Sequence, residues 1–308
     1  MPIMRCDSSG QTMDPVIRTE NLTKSYGSNR GIEGVNLTVC QGEVFGFLGP
    51  NGAGKTTTIR TLMNFLRPTS GRAWVFGLDT QRDSVAVHAQ LGNLPSEFSF
   101  DEKTTGRGLI RLFARLRGVR DITYAEVLAE RLNVDLDRPI RRLSRGNKQK
   151  IGLIQAMFHR PSLLILDEPT GGLDPLIQEE FLHMVGEVPT EGRTVFFSSH
   201  NLPEVERVCD RVGIIREGKL VTVETIDSLL GKRVRLVTLT FTGPIDSSPF
   251  ARIPGISDVR VAGNSITFHA SDSLDPVVKL AAQHTLVDLS VERPSLEEIF
   301  LTYYGGHP

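Results

Sequence analysis

Eight consecutive residues, Gly49-Pro50-Asn51-Gly52-Ala53-Gly54-Lys55-Thr56, fit the spacing G-x-x-x-x-G-K-[ST]. Glycines at those positions let successive backbone N–H groups turn inward around phosphate oxygens. Lys55 then reaches the β- and γ-phosphates as a mobile charge, the Thr56 hydroxyl is a Mg²⁺ ligand, and Thr57 continues the same anion-binding turn. A second constellation follows much later. Leu163-Leu164-Ile165-Leu166 is an apolar run that ends in Asp167-Glu168-Pro169. Asp167 can hold Mg²⁺ directly or through water. Glu168, where the chain turns out of a strand, can orient or deprotonate an attacking water, a role worth about 10²–10⁴-fold in rate. The pair of motifs implies binding of a nucleoside triphosphate and metal-assisted phosphoryl transfer.

Both motifs need a rigid frame, and the flanking patterns supply one. Val44-Phe45-Gly46-Phe47-Leu48 does not alternate, so it reads as a strand buried on both faces, and a helical pattern at Ile59, Leu62, Met63 and Leu66 follows the glycine turn. Leu163 to Leu166, Val195 to Phe197 and Val212 to Ile215 repeat the buried-strand pattern. Open α/β sheets place ligands at the ends of such strands. Alternation at Val16-Ile17-Arg18 and from Val35 to Val39 predicts an antiparallel β-subdomain ahead of them. The segment of about residues 98–160, with Leu109 to Leu116 and Glu126 to Leu132, predicts a helical subdomain. After residue 231, Val234 and Leu236 to Phe241, the Gly263-Asn264 hairpin signal, a helix over Pro276 to Gln283 and a strand over Leu286 to Val291 predict a small α+β domain over residues 232–308. Residues 1–14 read as a flexible tail before a main domain of residues 15–231.

The bulk numbers exclude other classes. The 308 residues are 39 % apolar and 23 % charged, ordinary for a folded protein. Lys and Arg total 35 against 36 Asp and Glu, so no excess of positive charge points to nucleic acid. No apolar run reaches the roughly 18–20 residues of a membrane span, and the polar start has no signal-peptide core. Cys6, Cys40 and Cys209 are far apart and in no CxxC pair, which predicts three reduced thiols.

Further motifs point to a family. Leu143-Ser144-Arg145-Gly146-Asn147-Lys148-Gln149-Lys150 resembles the LSGGQ signature of ABC transporter ATPases. Gly171-Gly172-Leu173-Asp174 resembles that family's D-loop, Ser198-Ser199-His200 its H-loop, and Tyr26 falls where the family stacks an aromatic ring on adenine. The resemblance spans about residues 16–231. It implies an α/β P-loop NTPase (ABC ATPase) fold with an antiparallel β-subdomain and a helical subdomain, using ATP and Mg²⁺. It also implies a head-to-tail dimer in which Ser144, Gly146 and Asn147 contact ATP held by the second copy, Asp174 crosses the interface, and His200 contacts the γ-phosphate and Glu168. Ser144 is a good N-cap ahead of an apolar stripe at Ile151, Ile154 and Phe158, so the signature also makes sense as a capped helix.

The chain departs from the family at two places. Ser96 follows Pro95 where glutamine is usual, so a Mg²⁺ contact there falls to Ser96 or to Glu97. Arg145 and Asn147 replace a glycine and a glutamine of the signature. The ending from Pro294 to Gly305 resembles that of bacterial ATPases serving drug, antibiotic and lipid exporters. Resemblance therefore implies a separate permease as partner and a peripheral place on the cytoplasmic face of the membrane. Two other readings stand beside it: a soluble ABC ATPase outside transport, and a regulatory subunit with weak hydrolysis.

Overall fold

The computed structural model describes residues 15–27, 29–100, 103–231, 235–271 and 273–292. The chain divides into two compact units, Met1–Ile226 and Asp227–Pro308.

The first unit begins with β1 (Ile17–Tyr26), β2 (Asn29–Val35), β3 (Thr38–Val39) and β4 (Val44–Leu48), then α1 (Lys55–Leu62), β5 (Ser70–Val75) and β6 (Leu78–Asp79). It continues through α2 (Ser84–Gln90), β7 (Leu91–Leu94), α3 (Gly106–Leu116), α4 (Thr123–Arg131), α5 (Arg145–Met157) and β8 (Leu163–Asp167). Then come α6 (Pro175–Glu187), β9 (Thr194–Ser199), α7 (Leu202–Val208), β10 (Arg211–Arg216), β11 (Lys219–Thr225) and α8 (Ile226–Gly231), whose first residue closes this unit.

The central sheet runs β11-β10-β4-β9-β8-β7, parallel except for β11. Its middle strands are buried at every position, which is why β4, β8 and β9 read as unbroken apolar runs instead of alternating ones. Phe45 stacks on Phe196 with centroids 5.8 Å apart, tying β4 to β9. A second, antiparallel sheet has the order β2-β1-β5-β6, with β3 also paired to β1. β1 alternates buried and exposed residues at its start because only one of its faces is covered. The helix α1 is shorter than its apolar pattern: it stops at Leu62, leaving Met63 and Leu66 outside, because Asn64 turns left-handed at φ 54 and Pro68 follows.

Helices α3, α4 and α5 make up the helical part. Thr105 caps α3 by accepting the Gly108 N–H at 3.1 Å, and Ser144 caps α5 by accepting the Asn147 N–H at 3.2 Å. The Arg131 guanidinium on α4 binds both Glu180 and Glu187 of α6.

The second unit holds β12 (Arg235–Phe241), α9 (Ser248–Ala251), β13 (Ile256–Ala262), β14 (Ser265–Ala270), α10 (Asp275–Ala281) and β15 (Leu286–Glu292). Its antiparallel sheet has the order β13-β14-β12-β15, and Val237, Leu239, Phe250, Ile266, Phe268 and Val277 form its core. The hairpin at Gly263-Asn264 joins β13 to β14. The unit boundary at residues 226/227 lies a few residues ahead of the composition change at 231. The expected tail over residues 1–14, Val234 and the closing segment from Pro294 lie outside the described residues.

One expectation about the thiols is corrected. Cys40 is disulfide-bonded, while Cys209 is free and buried, and Cys6 lies outside the described residues.

Candidate functional site

The glycine loop leaves β4 at Gly49 and delivers Lys55 to the first turn of α1. Close packing sets its path. A β-carbon on Gly49 would lie 2.5 Å from the Ile215 carbonyl oxygen and 3.0 Å from the Ala53 Cβ, so only glycine passes there without displacing backbone. The Gly49 N–H donates to Ser199 O at 3.3 Å and the Ala53 N–H to Pro50 O at 3.1 Å, which commits both groups to holding the loop. The remaining predicted positions, Pro50, Asn51, Gly52, Gly54, Lys55, Thr56 and Thr57, line a cleft of about 420 Å³ together with Gly31, Ser96 and Glu168. Helix geometry leaves the first-turn N–H groups of α1 without intrahelical acceptors, and the helix dipole adds to their pull on an anion.

Of the two acids at the end of β8, Glu168 lines the same cleft and Asp167 does not. Asp167 closes the strand almost wholly buried, and the Ser198 hydroxyl donates to its Oδ1 at 2.5 Å. Glu168 follows with φ 51, a left-handed backbone that turns its side chain away from the strand's alternation. Its Oε1 lies 3.0 Å from Lys55 Nζ and its Oε2 2.5 Å from His200 Nδ1. Facing a carboxylate, Nδ1 is the protonated, donating nitrogen. Lys55 also donates to Gly49 O at 2.6 Å and Pro50 O at 3.2 Å. Lysine, glutamate and histidine thus form one chain of contacts at the phosphate loop.

His200 owes its place to a buried turn after β9. Ser199 Oγ donates to Glu204 Oε2 at 2.9 Å and accepts the Asn201 N–H at 2.9 Å, while the Asn201 amide donates to Glu204 Oε1 at 3.1 Å. Two other amides hold the segment after Glu168. Gln149, buried on α5, donates to Pro169 O at 2.9 Å, and Gln178 on α6 donates to Leu173 O at 3.1 Å. A β-carbon on Gly146 would lie 2.6 Å from Gly172 O, so the signature helix packs directly on the D-loop-like turn. Sequence reading gave no role to Ser198, Gln149 or Gln178; each acts on a partner across the fold, and a buried polar residue in an apolar run was the available signal at Ser198.

Other predicted residues lie apart from the cleft. Ser144, Gly146, Asn147 and Asp174 do not line it. Asp174 caps α6, accepting the Ile177 N–H at 3.1 Å, with Pro175 in the first turn. Tyr26 is exposed and outside the cleft lining, although its ring borders Gly31, which does line it. Of the two candidates after Pro95, Ser96 lines the cleft and exposed Glu97 does not.

As for a metal, the described residues contain no cluster of three or more His, Cys, Asp or Glu side chains. One carboxylate, Asp167, and one hydroxyl, Thr56, are hard oxygen donors of the sort Mg²⁺ accepts when phosphates and water complete its shell, so the donor set fits that ion.

Comparison with known proteins identifies the family. A family model described as ABC transporter matches residues 32–171. The bacitracin transport ATP-binding protein BcrA of Enterococcus faecalis is 37 % identical over 304 residues, covering 96 % of this chain and 98 % of that protein. The daunorubicin resistance ATP-binding protein DrrA3 of Streptomyces coeruleorubidus is 32 % identical over 307 residues, covering 95 % and 96 %. Among solved structures, an ATP-binding subunit of an ABC transporter superposes with a TM-score of 0.64 at 28 % identity, over 70 % of this chain and 91 % of that one. The chain belongs to the ABC transporter family and is one of its ATP-binding, ATP-hydrolysing subunits.

Proposed function

We propose that two copies of this chain close around two ATP molecules and drive a separate membrane permease that exports an antibiotic, drug-like or lipid substrate. The observation that carries the reading is the placement of Glu168 between Lys55 and His200 at the mouth of the phosphate loop.

ATP binding recruits the cleft N–H groups and the Lys55 ammonium to the β- and γ-phosphates, so Lys55 gives up Gly49 O, Pro50 O and Glu168. That release frees Glu168 Oε1 to accept a proton from the attacking water, while His200 holds Oε2. Thr56 and Asp167 would hold Mg²⁺, which neutralises charge on the β- and γ-phosphates when bound. Ser96, shorter than the glutamine usual there, acts through a bridging water.

The second copy supplies Ser144, Gly146, Asn147 and Asp174, a reading supported by their position away from the chain's own cleft. The permease anchors the dimer at the cytoplasmic face of the membrane, a reading supported by relatives whose printed names describe them as transport ATP-binding proteins. Export is favoured because the relatives whose printed names concern bacitracin transport and daunorubicin resistance align over nearly the whole chain, the second unit included.

Glu168→Gln tests the assignment. ATP binding persists, turnover falls about 10²–10⁴-fold, and sedimentation shows a dimer that depends on ATP; near-normal turnover refutes Glu168 as the base.

A further inference from the structure

Ser198 sits at the end of β9, opposite Asp167 in register with β8, and is fully buried. A hydroxyl has one proton to give and two lone pairs to offer. Here the proton goes to Asp167 Oδ1 at 2.5 Å, and a lone pair accepts the Glu168 N–H at 3.1 Å. The same N–H also lies 3.3 Å from the Ser198 carbonyl oxygen. This hydroxyl thus holds one oxygen of the Asp167 carboxylate directly.

Two consequences follow from one atom. The donated proton fixes the rotation of a carboxylate that is only 1 % exposed and has no water shell to orient it. The accepted N–H pins the left-handed turn at Glu168, φ 51, from which the side chain reaches Lys55 and His200. A residue with β-structure on one side and a left-handed successor needs such a tether, because that backbone region is costly without glycine.

We propose that Ser198 is a positioning residue of the ATPase reaction, its single hydroxyl setting both the carboxylate offered to Mg²⁺ and the turn that aims the water-activating glutamate. The proposal rests on the roles given above to Asp167 and Glu168. The same hydroxyl could instead serve only to satisfy buried polar groups, and the two cases separate experimentally.

The test compares Ser198→Ala, which cannot overpack the site, with Ser198→Thr, which keeps the hydroxyl. Mn²⁺ serves as a spin probe for the metal position, titrated into the full chain with a non-hydrolysable ATP analogue. Ser198→Ala weakens Mn²⁺ on the order of tenfold, the usual effect of losing a group that orients a metal ligand. Its kcat falls by a similar factor, its KM for ATP changes by less than about threefold, and its metal-free nucleotide affinity is unchanged. Ser198→Thr restores metal affinity and kcat.

Wild-type Mn²⁺ affinity and kcat in Ser198→Ala overturn the proposal. So does an equal loss of metal-free nucleotide affinity, or a Thr variant as defective as Ala while melting at the wild-type temperature. Asp167→Asn is measured in parallel. If it leaves Mn²⁺ binding intact, the metal role of Asp167 falls, and the proposal with it; if it weakens Mn²⁺ while Ser198→Ala does not, the proposal alone fails.

Discussion

Gly49→Ala puts the steric account of the phosphate loop at risk with a single methyl group. The added carbon would meet Ile215 O at 2.5 Å, Ile215 Cγ2 at 2.9 Å and the Ala53 Cβ at 3.0 Å. The first contact is about an ångström short of van der Waals separation. Ile215 belongs to β10, paired in register with β4, so its carbonyl cannot retreat without disturbing the sheet. The loop must move instead. Overpacking of this kind costs about 1–3 kcal/mol, which for a unit of this size lowers the melting temperature by about 3–10 °C. A shift approaching an ångström at a phosphate site costs on the order of 10²-fold in function. The control is Gly186→Ala on α6, where the added carbon meets nothing within 4 Å. There alanine improves the helix by about 0.5–1 kcal/mol. Thermal melting and fluorescent ATP-analogue binding on both variants decide the matter. Unchanged melting and unchanged affinity in Gly49→Ala would refute the packing argument.

Two further outcomes follow from the geometry. Ser144→Ala removes the cap on α5 and lowers stability by about 1 kcal/mol, while ATP still binds the single chain but no longer gathers two copies; sedimentation with ATP, in a Glu168→Gln background, checks this. His159 is held near pKa 4 instead of 6.5 by burial first, then by the charges of Arg117 and Arg193. Its neutral form is therefore the folded one, so its contribution is complete above about pH 6.5 and is lost as pH falls toward 4 because the unfolded chain gains the proton. Allowing for its partial exposure, the loss is about 1–2 kcal/mol, and denaturant midpoints across that range should fall less steeply in His159→Gln; identical slopes would contradict it.

What the sequence made legible was local. The glycine loop and its lysine are contiguous, and the acids of Asp167-Glu168 end an apolar run whose burial on both faces predicts its place in a parallel sheet. The contacts that turn those motifs into a site are not local. Ser198 meets Asp167 because β9 pairs with β8, and Glu168 meets Lys55 because β4 lies on the other side of β9. Strand order is a property of the whole sheet, invisible in any one segment. Gln149 reads as one more polar residue in a basic helix start, yet it is buried and holds Pro169 O. Met63 and Leu66 kept the helical period but lost the helix, because one left-handed Asn64 outweighs a favourable spacing. Which of Ser96 and Glu97 faces the cleft was likewise a matter of direction that adjacent positions do not reveal: Ser96 borders it and Glu97 does not.

Mixing two disabled chains tests most directly whether the working pocket is shared between copies. Lys55→Ala removes the phosphate grip but leaves the signature intact; Ser144→Arg, at an exposed position, blocks the signature and leaves the chain's own phosphate loop in place. If the pocket is composite, equal mixing yields hybrid dimers with one wholly wild-type site, and ATPase activity returns to about a quarter of the wild-type level. A mixture as inactive as either parent, with hybrid dimers demonstrated by differential tagging, would contradict the account.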